Sequence, residues 1–75
     1  MFKVGDRVVG VGSCDGLDLT GLVGVVRTYN NFDGYLGVEF VNHNNDFHTI
    51  NGSCKSGYGW WCAEKNLRPA EIVNV

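Results

Sequence analysis

The chain has 75 residues, a formal net charge of −2 and a sequence pI of about 5.4. This length holds one domain, residues 1–75, and the 44% hydrophobic share suits a packed core rather than a disordered chain. Six Lys and Arg scattered among eight carboxylates disfavour non-specific duplex binding, which draws its affinity from neutralised phosphates. No long apolar run and no basic-then-apolar leader is present, so neither a membrane span nor a secretory signal is expected. A cytoplasmic setting, with the cysteines reduced, follows as the expectation.

Eleven glycines, eight asparagines and one proline favour tight turns over long helices. A short β-branched strand is expected over residues 7–11, after the turn pair Gly5-Asp6. Residues 13–20 read as a polar loop carrying Cys14, Asp15, Gly16 and Asp18. The longest strand spans residues 22–29, and residues 30–34 end in Asp33-Gly34, the best hairpin signal in the chain. The returning strand, 35–41, alternates so that Leu36, Val38 and Phe40 share one face and Glu39 takes the other. A polar loop then leads to a short strand at 47–50, a turn at Asn51-Gly52, and an aromatic strand at 58–63. One helical turn over 63–67 stops at Pro69, and residues 72–73 are expected to close the sheet. No stretch sustains a helical period. The fold class is therefore all-β, a small closed or partly open barrel, because closure hides sheet edges.

Three glycine-valine segments, Gly5-Asp6-Arg7-Val8, residues 21–26 and Leu36-Gly37-Val38-Glu39-Phe40, resemble the opening strands of KOW-type and other SH3-like barrels. The tail, Gly59-Trp60-Trp61 with Asn66-Leu67-Arg68-Pro69, is similar to the Trp-Trp strand and short helical turn of such barrels. In layout the chain also resembles small phage and bacterial proteins and, more distantly, the repeat domain of Mind-bomb ligases. The resemblance spans about residues 2–70 and implies a five- to six-stranded SH3-like barrel. It also implies a phage or mobile-element protein at work in the cytoplasm of a bacterial host cell.

Three cysteines make an awkward disulfide set, so the small core turns attention to a metal staple. Zinc takes four Cys or His ligands, and His48-x5-Cys54-x7-Cys62 supplies three across two turns. Cys14 is the expected fourth ligand, with His43 as the alternative. Such a zinc would be structural, tying the irregular second half to the first. The bland reading makes Cys54 and Cys62 small packed hydrophobes and the histidines solvated. In the phage and bacterial proteins a His, a Cys and a Trp fall in a comparable stretch, with a further His near the place of Tyr58.

Adjacent Trp60 and Trp61 leave opposite faces of a strand, so one enters the core and the other lies at the surface or under a loop. Tyr58 shares the face of Trp60. With Phe47 and the acidic Asp15 and Asp18, placed by the resemblance in the long first loop, these aromatics form the expected partner-binding set. A nucleophile built from Cys54, His48 and Asp46 lacks a helix N-terminus to lower the thiol pKa, and no enzyme activity is expected. The function expected is a non-enzymatic interaction module, implied by the resemblance to be a phage inhibitor of a host protein such as a CRISPR effector nuclease. The alternative is a single-stranded nucleic-acid-binding KOW-like barrel that stacks bases on Tyr58, Trp60 and Phe47.

Overall fold

A computed structural model describes residues 2–70. Its strands are β1 (Arg7–Gly10), β2 (Ser13–Cys14), β3 (Leu17–Asp18), β4 (Val23–Tyr29), β5 (Leu36–Phe40), β6 (Gly59–Cys62) and β7 (Leu67–Pro69). A 3-10 turn at Glu64–Asn66 stands where the helical turn was expected. The protein is all-β, and no helix among the described residues is long and apolar enough to cross a membrane. The strand expected at 72–73 lies outside the described residues; the last strand seen is β7.

Five strands form one antiparallel sheet in the order β6-β5-β4-β1-β7, and β2 pairs only with β3. The expected barrel is corrected in one respect: the sheet stays open, with β6 and β7 at opposite edges. Hydrogen bonding explains why β7 pairs no further. Its neighbours face β1, through Val11 N–H to the Asn66 carbonyl and Ala70 N–H to the Arg7 carbonyl. The main-chain groups of Leu67 and Pro69 therefore point away from β1, toward the open edge. The Leu67 N–H is already given to the Glu64 carbonyl, and Pro69 has none. An edge without donors cannot template another strand.

Residues 13–20, expected as a loop, contain the β2–β3 hairpin. Asp15 and Gly16 at its tip have φ of 53° and 82°, the doubly left-handed pattern that matches strand twist in two-residue turns. Strand alternation points Val8, Val26, Leu36, Val38, Phe40, Cys62 and Leu67 to one face, and all are buried. Cys14, Leu19 and Phe47, from outside the main sheet, complete this inner core.

The segment between β5 and β6 wraps around the β6 edge. Phe47 stacks on Phe40 on the inner face, with ring centroids 5.2 Å apart. His48 then pairs with Gly59 in a single bridge, in place of the expected strand at 47–50. Beyond it, Ile50, Asn51 and Gly52 are all left-handed, with φ of 44°, 55° and 84°. The Ser53 N–H closes this turn on the Thr49 carbonyl at 2.9 Å, and Gly52 N–H meets Thr49 Oγ1 at 3.1 Å. Left-handed backbone is costly for a β-branched residue. Here it is held because the Ile50 side chain is fully buried on the outer face of the sheet. Glycines make the slot: a Cβ on Gly59 would lie 3.0 Å from Ile50 Cγ1, and one on Gly37 would lie 3.2 Å from Ile50 Cδ1.

Candidate functional site

Strand parity decides where the thiols and imidazoles go. Trp60 and Cys62 point to the inner face of β6, whereas Gly59 and Trp61 point outward. Cys54 packs over Gly59, its sulfur 2.7 Å from where a Cβ would stand, so it sits on the outer side. Cys14 belongs to the inner core with Cys62. The set Cys14, His48, Cys54 and Cys62 is thus divided between the two sides of one strand. Among the described residues, no group of three or more His, Cys, Asp or Glu is gathered where it could hold a metal.

Each thiol has a main-chain partner instead. Cys14 Sγ donates to the Trp61 carbonyl at 3.7 Å and accepts from the Ala63 N–H at 3.5 Å. Cys62 Sγ lies 3.5 Å from the Trp60 carbonyl. Burial pushes its thiol up to about 12, with smaller contributions from Cys14 and Asp15. Cys54 Sγ faces the carbonyls of Lys55, at 3.4 Å, and His48, at 3.8 Å. It meets the backbone of His48 rather than its ring, and burial raises its pKa too. The imidazole is engaged elsewhere: His48 Nδ1 accepts the Ile50 N–H at 2.9 Å. Asp46 does not reach it through any bond seen; its N–H is fixed by Asn44 Oδ1. The alternative ligand His43 is exposed and lies edge-on to Tyr58, 5.4 Å between centroids.

The aromatics separate by the same parity. Trp60 is half-buried on the inner face, against Phe47 at 5.9 Å and His48 at 5.5 Å. Its Nε1–H reaches the Cys14 carbonyl at 3.1 Å, tying β6 to the β2–β3 hairpin. Trp61, also half-buried, packs outward with its ring over Gly37. Phe47 is buried and lies beneath the surface rather than on it. Tyr58 is half-buried, with Lys55 Nζ 5.7 Å from its ring centre. Asp15 and Asp18 are exposed on the hairpin, and Thr20 holds the Asp18 carboxyl below its usual range by hydrogen bonding. The charge of Asp15, followed by that of Cys14, raises the Tyr35 phenol, so the acidic hairpin lies close to the start of β5.

The β4–β5 turn holds the feature that sequence reasoning underweighted. Phe32 is 98% exposed. Asn30 Oδ1 accepts the Phe32 N–H at 2.8 Å, Asp33 Oδ1 accepts the Tyr35 N–H at 2.9 Å, and Asn30 Nδ2 reaches Asp33 Oδ2 at 3.3 Å. Two main-chain bonds, Asn30 N–H to Tyr35 and Gly34 N–H to Asn30, close the same turn. At its base an apolar hollow of about 350 Å³ is lined by Phe2, Lys3, Val4, Tyr29 and Leu36. The flanking Asn and Asp are a readable turn signature. The exposure of the aromatic between them is not, because phenylalanine ordinarily goes inside. No family model, curated protein or solved structure matches this chain.

Proposed function

We propose that this chain is a non-enzymatic interaction module that occupies the surface of a larger protein, with Phe32 as its anchor. The supporting observation is an aromatic side chain 98% exposed on a turn that five hydrogen bonds already fix. A ring presented this way loses little conformational entropy when a pocket takes it, and such rigid aromatics carry much of an interface's energy. Tyr29 and Val4, 49% and 61% exposed, extend the apolar surface around the hollow. Asp33 in the turn, with Asp15 at the tip of the hairpin, brings negative charge to Tyr35 at this end. The complementary partner is a protein with an apolar pocket and basic surroundings. A nuclease with a basic groove, the target implied by the likeness to phage proteins, has that chemistry.

The test compares the wild type with Phe32→Ala as immobilised baits in a bacterial lysate, with bound proteins quantified. A protein retained by the wild type and reduced about 30-fold or more on Phe32→Ala, at unchanged melting temperature, is expected for an anchor of about 2 kcal/mol. Equal retention by both baits would remove the anchor. Salt-sensitive binding of oligonucleotides that survives Phe32→Ala would favour the nucleic-acid reading instead.

A further inference from the structure

All three arginines of the chain lie on the outer face of the main sheet, on one diagonal. Arg68 of β7 pairs with Val9 of β1, and Arg7 of β1 pairs with Val25 of β4. Arg27 stands two residues further along β4, beside a register shift, where its Nε–H binds Glu39 Oε1 at 2.8 Å. Diagonal neighbours in a sheet are roughly 7–8 Å apart, so the three arginines stand in a row across three strands. Between them lie Val9, Val23 and Val25, all at least partly exposed. Val9 and Val23, with Arg68, Pro69 and Ala70, line a shallow hollow of about 550 Å³. Among the described strand residues on this face, Glu39 is the one carboxylate. Asp6, just before β1, accepts the Lys3 N–H. The gathering runs against the composition, since the chain as a whole carries −2.

We propose that this β7-β1-β4 half of the outer face binds an acidic, aliphatic-rich segment of a protein. Guanidinium forks match carboxylates in two-point geometry, and the valines between them suit aliphatic side chains. A single-stranded nucleic acid is less well served, because its bases need aromatic faces to stack on. Among the described strand residues the aromatic on this side, Trp61, packs over Gly37 in the half of the face that Ile50 covers, and Tyr58 borders a separate hollow with Arg27 and Glu39 that includes neither Arg7 nor Arg68. The segment lies across the face rather than joining as a further strand, because the β7 edge offers no donor. This surface is distinct from the Phe32 turn and does not depend on that residue's role.

A labelled extended peptide of about eight residues, with Glu and Leu in turn at every second position and Ser between them, turns both side chains to the face at strand rise and serves as the probe. Saturable binding at low salt is expected, weakened about tenfold by each of Arg68→Glu and Arg7→Glu, with amide shifts centred on Val9, Val23 and Arg68. Lys65→Glu makes the same charge change on the exposed 3-10 turn, at a residue that does not line the hollow, and is expected to leave binding unchanged. Melting curves establish that each variant is folded. Absence of binding, or equal loss with Lys65→Glu, would overturn the site. Displacement of the peptide by oligothymidine that itself binds more tightly, with the same arginine dependence, would assign the face to nucleic acid and overturn the proposal.

Discussion

Cys62 shows how a single burial becomes a pH dependence. Its thiol is fully enclosed in the inner core, and desolvation lifts the pKa from an ordinary 9.0 to about 12. A raised folded pKa means that the unfolded chain loses this proton first. The stabilisation is therefore complete below pH 9 and is lost as pH climbs toward 12. Across that window one proton's difference lowers stability by about 1.4 kcal/mol per pH unit. Denaturant titrations of wild type and Cys62→Ala between pH 8 and pH 11 read this directly, because the other titrating groups are common to both. The wild-type curve is expected to fall more steeply above pH 9. Parallel curves would mean that the thiol is solvated in the folded state.

Among the elements, the left-handed turn after the His48–Gly59 bridge depends most on glycines far away in sequence. A Cβ on Gly37 would lie 2.5 Å from Thr28 Cγ2 and 3.2 Å from both Ile50 Cδ1 and Trp61 Cζ3. Ile50 has no easy retreat, since its backbone is already held at φ 44°. Gly37→Ala is expected to cost about 1–3 kcal/mol, the usual range for overpacking, and to lower the melting temperature by several degrees per kcal/mol. Adding Ile50→Val removes the crowded methyl, so the double variant should lose less than the two single losses combined. Simple additivity would show that the added methyl is resisted by Thr28 Cγ2 rather than by Ile50.

The same elements show what was readable in advance. β4 and β5 were, because Leu36, Val38 and Phe40 alternate with Glu39 and a turn signal separates the two strands. The Asp15-Gly16 pair carried the same turn chemistry as Asp33-Gly34, but strands of two residues are too short to show an alternation. The left-handed Ile50 was hidden, because the slot that takes its side chain is made by Gly37 and Gly59, on strands that the sequence alone does not bring together. Ligand spacing failed to locate a cluster for a related reason. Counting residues from Cys54 to Cys62 cannot say that the chain packs one on each side of β6. Turn chemistry likewise placed Phe32 at a tip without revealing that its ring faces solvent, and the arginine row needed three strand registers at once.

For the molecule as a whole, the gap between the open edges β7 and β6 is bridged by side chains rather than by strand pairing. The β2–β3 hairpin is held from both sides. From β6, Trp60 Nε1 donates to the Cys14 carbonyl at 3.1 Å. From the 3-10 turn that leads into β7, the buried Asn66 Nδ2 donates to the carbonyls of Val11, at 2.8 Å, and Ser13, at 3.0 Å. These bonds are partly withdrawn from water, so removing a donor costs at least the net worth of one hydrogen bond. Trp60→Phe and Asn66→Ala are each expected to lower stability by about 1–3 kcal/mol. The hairpin is one small body with two holds, and once either is lost it moves more freely and the other has less to secure. The double variant should therefore fall short of the sum by at least about 0.5 kcal/mol, a coupling that urea denaturation of the four proteins can measure. Additivity within about 0.3 kcal/mol would mean that the hairpin is fixed by the packing of Cys14 and Leu19 in the core, with the two donors acting as separate local bonds.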